Sequence, residues 1–194
     1  MISKFCIAAL AFVFEGARAE GHSVYGGYVV GGAEFNLRYL PDLDQVEFTV
    51  TLGDDNWFGL VPGQGNMQSD GDMHVFFGDG SDSYFADYHS VGYKPPALDD
   101  NQDLIEVPEH PTELKEGKRI TMVARRQIDT GDEMDFVIPL DQEFMMGYAF
   151  NGENNELKYS TKHDVAGSVA ITLSSDGSPV WSDFVKAEPV DNVS

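Results

Sequence analysis

Apolar and polar residues alternate over several short stretches of this chain, which is the pattern of β-strands that bury one face. In residues 45–52 every second side chain is apolar, and residues 119–126 and 168–173 alternate in a similar way. The predicted strands are residues 23–30, 34–39, 45–52, 57–60, 73–78, 83–89, 103–107, 119–126, 135–139, 144–150, 168–173 and 180–186. Outside the first 19 residues, no 12-residue window holds the apolar i, i+3, i+4, i+7 spacing of an amphipathic helix.

Residues that favour turns separate these stretches. They are Pro41-Asp42, Gly53-Asp54-Asp55-Asn56, Gly78-Asp79-Gly80, Thr130-Gly131-Asp132, Asn151-Gly152 and Asp176-Gly177. Short strands and turns at this spacing predict an all-β fold, an immunoglobulin-like antiparallel β-sandwich. The 194 residues hold no internal repeat, so we expect one domain over residues 20–186 and a flexible tail over residues 187–194.

The first 19 residues predict a secretory signal peptide. Lys4 supplies the positive charge, residues 5–14 are apolar, and Ala17-Arg18-Ala19 resembles a small-x-small cleavage site. The apolar run is shorter than the roughly 20 residues that a membrane-spanning helix needs. We therefore expect cleavage after Ala19, export to the periplasm or the extracellular space, and no membrane span after cleavage.

The chain has 33 acidic residues against 12 Lys and Arg, a net charge of −21 at pH 7 and a pI near 4.2. Such a surface repels nucleic-acid phosphates and anionic lipids, so neither is expected as a partner. The single cysteine, Cys6, lies in the signal peptide, so the mature domain would have no disulfide and no cysteine metal ligand. Its stability must then come from its core, a bound ion or a cofactor.

A search for catalytic motifs finds no G-x-S-x-G and no H-E-x-x-H sequence. The histidines, which show no zinc or copper spacing, are His22, His74, His89, His110 and His163. His74 and His89 fall on neighbouring predicted strands, and we expect each to be exposed rather than paired with the other. The sequence therefore carries none of these catalytic motifs, and we do not expect the chain to be an enzyme.

Residues 57–173 resemble a DOMON domain, the sandwich found in dopamine β-monooxygenase and in the cytochrome domain of cellobiose dehydrogenase. The matching pieces follow one another in the order that the family has. They are Trp57-Phe58-Gly59-Leu60, Gly65-Asn66-Met67, residues 72–77, residues 83–88, Ser90-Val91-Gly92, Pro96, residues 99–104, Arg125-Arg126, Thr130-Gly131-Asp132 and residues 163–167. None of these pieces is specific alone, and the resemblance depends on their order.

The resemblance implies a non-covalent haem b. In the cytochrome-type members, a Met after the W-x-G strand and a His before the last strands hold the haem iron, and the matching residues are Met67 and His163. Two strong axial ligands suit electron transfer with a redox partner protein. Lys162 is a reserve ligand, and the absence of C-x-x-C-H excludes covalent attachment. Aromatic residues that could line a haem cleft, or simply belong to the core, are Trp57, Phe58, Tyr148, Phe150 and Tyr159.

The resemblance also implies a structural cation, since some haem-free members appear to bind one. The matching residues are Asp72 and Asp103 through their carboxylates, and Met73 and Tyr88 through their backbone carbonyls. Oxygen ligands of this kind suit calcium. An acid-rich chain also uses aspartates simply as turn caps, so the haem and calcium interpretations remain open and can coexist.

A third interpretation is a haem-free module that binds a sugar or another neutral small molecule. Sandwich domains of this kind stack exposed aromatic rings on sugar faces, and the candidate rings are Trp57, Tyr93 and Trp181. The oligomeric state does not follow from the sequence.

Overall fold

The computed structural model describes residues 28–30, 32–65, 69–92, 94–108, 113–115, 119–153, 156–157, 163–177 and 179–181. The predicted signal peptide, Met67, Lys162 and the predicted tail lie outside the described residues, as do Tyr93 and Tyr159. Within the described residues the chain forms strands and one 3₁₀ turn, Gly80–Asp82, but no α-helix. No described helix has the length and hydropathy of a membrane span.

The strands, numbered in chain order, form two antiparallel sheets, which confirms the predicted β-sandwich. The first sheet runs in the order β1 (Tyr28–Val30), β2 (Ala33–Leu40), β3 (Gln45–Gly53), β10 (Arg119–Gln127) and β8 (Ile105–Glu106), with β9 (Glu113–Lys115) also paired to β10. The second sheet runs in the order β13 (Pro179–Trp181), β12 (Val165–Leu173), β11 (Glu143–Asn151), β4 (Trp57–Pro62), β5 (Ser69–Phe77), β6 (Tyr84–Val91) and β7 (Ala97–Leu98).

The alternation in the sequence places the core between the two sheets. Every second residue of β3 and β10 is buried, as the pattern predicts. On the second sheet the inward side chains come from β4, β5, β11 and β12. The largest inward residues of the core are Phe35, Leu37, Phe48, Leu52, Phe58, Leu60, Phe76, Ile120, Met122, Phe144, Met146, Tyr148 and Phe150. Both sheets therefore turn one face toward a shared apolar layer.

The strand predicted at residues 135–139 is wrong. This segment is irregular and crosses from β10 to β11. Its backbone bonds leave the sheet ladders, since Phe136 N–H donates to the carboxylate of Asp72 at 3.1 Å and Ile138 N–H donates to the carbonyl of Ile128 at 2.9 Å. The strand predicted at residues 103–107 is confined to β8, and the sequence patterns did not predict β7 or β9.

Two of the predicted turns are confirmed by an aspartate or a glycine with a left-handed backbone conformation. Asp55 closes the β3–β4 turn with φ 61°, and Gly131 lies at φ 78° in the Thr130-Gly131-Asp132 turn. Aspartate tolerates this region better than most residues because its short side chain bonds locally. In the second turn, Gly131 N–H donates to the carboxylate of Asp129 at 3.0 Å.

Candidate functional site

The outer face of the second sheet carries a row of small side chains. Gly59 of β4 lies opposite Ala149 of β11, and Ala149 lies opposite Ala166 of β12. Val75 of β5 continues the row on the other side of Gly59. Residues that are directly opposite in a sheet point to the same face, so this row forms a low floor across four strands.

Apolar side chains surround that floor. Trp57, Val75 and Phe77 form a buried cluster that is separate from the core between the sheets. Tyr88, Ala149 and Leu157 pack against it and are partly exposed. Small-molecule sites are lined mainly by apolar and aromatic side chains, which is the composition of this second cluster.

The loop after β4 closes one end of the floor. A Cβ on Gly147 would come within 2.8 Å of the carbonyl of Gln64, and Gly65 lies near Ser168 and Met145. The loop thus packs on the glycine of β11, next to the row of small residues. Met67 follows two residues after Gly65 and lies outside the described residues.

His163 lies at the other end, where the chain enters β12. It is half-buried and precedes Val165, the first residue of the strand. The turn is held by Asp164, whose N–H donates to the carbonyl of Phe150 at 2.8 Å and whose carboxylate accepts from Gly152 N–H at 2.7 Å. The floor therefore lies between the loop that leads to Met67 and the turn that carries His163.

The aromatic candidates divide between the two faces. Trp57 lies on the outer face, while Phe58, Tyr148 and Phe150 belong to the core between the sheets. Trp57 is only 5 % exposed, so its ring is not an open platform for a sugar. Trp181 ends β13, and its side chain lies outside what the structure describes.

A group of charged side chains is buried on the inner face of the same sheet. The Asp72 carboxylate accepts from Arg126 Nη1 at 2.5 Å and from Phe136 N–H at 3.1 Å. Its other oxygen lies 3.1 Å from His74 Nε2, which is 2.9 Å from Arg126 Nη1. Arg126 Nη2 donates to the carbonyl of Phe136 at 2.7 Å. All three side chains are buried, and Arg126 is the cation at their centre.

These neighbours set the ionisation of Asp72. Burial alone would raise its pKa, but the charges and hydrogen bonds of His74 and Arg126 lower the pKa of Asp72 to about 2. Asp72 is therefore ionised at neutral pH and paired within the core.

Asp103, the second predicted carboxylate ligand, lies in an adjoining group with Asp87 and Asp135, within which the ligand oxygens are all within 4.8 Å of one another. Asp87 also belongs to a group with Asp72 and His74, so it connects the two predicted aspartates. Met73 and Tyr88 lie directly opposite each other on β5 and β6. The two aspartates thus lie in one polar region, but in different groups.

The expectation that His74 is exposed is wrong. His74 is fully buried, and its ring packs edge-on against Phe48 with centroids 4.8 Å apart. It lies opposite Asp87, whereas His89 lies opposite Asp72 and is half-buried near Asp99. His74 is inward because it alternates with Phe76, and the contacts of its Nε2 atom with Asp72 and Arg126 offset part of the cost of burying the ring.

Arg126 and Asp87 were not predicted as functional residues, although the sequence carries a signal for both. Arg126 is in phase with Ile120, Met122 and Ala124, the inward positions of β10. Asp87 is likewise in phase with Phe85, which packs against the core. A charged residue in phase with core positions indicates a buried polar group.

No protein-family model matches the sequence, and no curated protein matches it either. Among solved structures, the cytochrome b domain of pyranose dehydrogenase from Coprinopsis cinerea matches with a TM-score of 0.57 at 18% identity, covering 71% of this chain and 75% of that one. The cytochrome domain of Myriococcum thermophilum cellobiose dehydrogenase matches with a TM-score of 0.54 at 10% identity, covering 75% and 77%. Both are DOMON-type domains, so the resemblance drawn from the sequence is confirmed at the level of the fold. The chain shares the antiparallel β-sandwich of these cytochrome domains.

Proposed function

We propose that this chain is an exported haem b protein that passes single electrons and is not itself a catalyst. The observation that carries the proposal is the outer face of the second sheet, with its floor of small residues and its buried apolar walls. The fold neighbours, which are cytochrome domains, support the same function.

The residues of this face fit a flat, largely apolar group. Gly59, Ala149 and Ala166 leave the floor low, and Trp57 and Val75 supply apolar surface beside it. His163 adds an imidazole, which is a common haem ligand. The floor carries no charged side chain in the row Val75, Gly59, Ala149 and Ala166, as the burial of an apolar ring requires.

Met67 and His163 are the residues that would hold the haem iron. A haem with two such ligands supplies one-electron transfer. His163 offers a ring nitrogen from a turn that Asp164 fixes on both sides, and Met67 offers a thioether from the loop that packs on Gly147. The apolar walls exclude water and hold the group without a covalent bond.

The test is reconstitution of the purified chain with haem, followed by absorption spectroscopy. We expect a Soret band and, on reduction, sharp α and β bands. His163→Ala should abolish haem retention and Met67→Ala should remove the low-spin reduced spectrum, while the controls His89→Ala and Met134→Ala should keep both. A protein that takes up no haem, or spectra of wild-type form in both ligand variants, would refute the proposal.

A further inference from the structure

Asp87 is a fully buried carboxylate without a hydrogen-bond donor in the described part of the chain. Its side chain is 0 % exposed, and neither Oδ1 nor Oδ2 has a hydrogen-bond partner among the described residues. An ionised carboxylate in such a place is strongly unfavourable without a counter-charge. The region around Asp87 therefore needs either a cation or a proton.

Two further carboxylates converge on Asp87. The ligand oxygens of Asp87, Asp103 and Asp135 lie within 4.8 Å of one another. Asp103 is half-buried, whereas the Asp135 side chain is only 4 % exposed, so the group meets solvent on the side of Asp103. Three carboxylates around one point with an entry path are a suitable donor set for a hard cation.

Hydrogen bonds from neighbouring side chains position the backbone of Asp87 and the carboxylate of Asp135. The Gln102 side chain accepts from Asp87 N–H and donates to the Asp87 carbonyl, both at 2.9 Å, which holds the neighbouring Asp103 beside β6. Thr130 Oγ1 donates to Asp135 Oδ2 at 2.7 Å. The carboxylates are thus held in place by contacts that leave oxygens of Asp87 free for a ligand.

The adjoining group of Asp72, His74 and Asp87 has a different character. Arg126 Nη1 contacts both Asp72 and His74. The guanidinium therefore already occupies the position that a metal ion would take between these two side chains. In the group of Asp87, Asp103 and Asp135, Arg126 reaches only Asp135, with Nη2 3.8 Å from Oδ2. It therefore neutralises little of the negative charge of that group. Asp72 is therefore already paired with a cation of the protein, whereas no cation among the described residues contacts Asp87 or Asp103.

We propose that Asp87, Asp103 and Asp135 bind a divalent cation of the calcium class. This ligand set shares Asp103 with the site that the family resemblance implies. It has Asp87 and Asp135 where that site has Asp72. The ion would join β6 to the two segments that cross between the sheets, at residues 99–104 and 128–140. The inference does not rest on the proposed haem function.

The electrostatics of the group favour a bound cation. Burial, together with the charges of Asp72 and Asp135, raises the pKa of Asp87 to about 7 against the opposing influence of His74 and Arg126. Burial, with Asp72 and Asp103, also raises the pKa of Asp135. The carboxylates destabilise one another's charged forms, and a bound divalent cation removes that repulsion.

The test is calcium titration of the chelator-treated full chain at pH 7.5, by calorimetry and by thermal unfolding. We expect one site, and a rise in Tm of about 5 °C or more when calcium exceeds its Kd a hundredfold. Magnesium should bind more weakly because it demands a stricter octahedral geometry. Absence of binding and of any Tm change up to about 10 mM calcium, well above the Kd of weak extracellular sites, would overturn the proposal.

Variants separate this ligand set from its neighbours. Asp87→Asn should abolish the calcium response and leave the metal-free protein as stable as the wild type or more so, because it removes an unpaired buried charge. Asp103→Asn, at a half-buried position, and Asp135→Asn should each weaken binding tenfold or more. The control Asp100→Asn removes an exposed charge from the same segment and should bind as the wild type does. A full response in Asp87→Asn and Asp135→Asn, or its loss in Asp100→Asn, would refute the site.

Discussion

The charged groups inside the sandwich depend on Arg126. Its guanidinium bonds the carboxylate of Asp72, the ring of His74 and the carbonyl of Phe136 while itself fully buried. Removing one partner of such a group is costly because the remaining charge has no water to solvate it. This network explains how an aspartate, a histidine and an arginine can face an apolar core.

The ionisation of Asp72 predicts how stability changes in acid. Since the pKa of Asp72 is about 2 in the folded chain against an ordinary value of 3.8, its contribution is fully present above about pH 4 and is lost as the pH falls toward 2. The shift corresponds to about 2 kcal/mol of the free energy of unfolding. Asp72→Asn should therefore be destabilised at pH 7, and its deficit against the wild type should shrink by about that amount between pH 4 and pH 2.

Urea unfolding of both proteins at a series of pH values measures this deficit. Asp100→Asn serves as the control, because Asp100 is exposed and its removal should change stability little at any pH. A deficit of Asp72→Asn that stays constant from pH 7 to pH 2 would contradict the role assigned to the ionised carboxylate.

The buried group around Arg126 could not be predicted from the sequence. The alternation of β10 puts Arg126 in phase with Met122 and Ala124, but a charge at a strand end is more often solvated. Which partner would neutralise it depends on Asp72, 54 residues away, and on the irregular backbone at Phe136. Such a contact follows from the packing of two sheets, and no local pattern contains it.

Single strands were predicted well where one face is buried. The apolar alternation of β3, β10 and β12 placed all three, because a shift by one residue would turn every core side chain outward. The pattern wrongly predicted a strand at residues 135–139. This segment crosses between the sheets, and Phe136 N–H donates to the carboxylate of Asp72 instead of to a neighbouring strand. It also could not show that the alternate residues of β4 and β11 form a floor, since that requires the strand register.

The floor itself can be tested by filling it. Ala166→Leu places a large side chain in the row that Gly59 and Ala149 share, on an outer face where the residue is half-buried. We expect the variant to fold but to retain at least tenfold less haem, because the bulk occupies the space proposed for the ring. Circular dichroism and the Soret absorbance after reconstitution measure the two properties.

Ala170→Leu is the matched control, since it lies on the same face of β12 but opposite Met145, away from the row of small residues. Wild-type haem retention in Ala166→Leu, or equal loss in both variants, would show that this row is not where the group lies.

At the scale of the whole molecule, the two sheets position the side chains of the proposed site. The net charge favours a partner with a positively charged surface. A net charge of −21 over 194 residues produces a negative field that extends beyond single contacts. Fold and charge are independent properties, since the core that sets the sandwich is apolar and the acids lie mostly in turns and loops. The sequence could therefore predict the field directly, but not the position of a docking surface within it.

The field predicts how the proposed electron transfer depends on salt. A basic c-type cytochrome should react with the reduced haem-loaded chain at a rate that falls at least tenfold between about 10 mM and 500 mM NaCl, because screening shortens the range of attraction from about 30 Å to a few ångströms. An acidic redox protein should show the opposite trend, since salt relieves its repulsion. Stopped-flow absorbance at the α band follows both reactions, with a small neutral oxidant as the control for salt effects on the haem itself. Rates that are independent of salt for both proteins would contradict electrostatic steering by this surface.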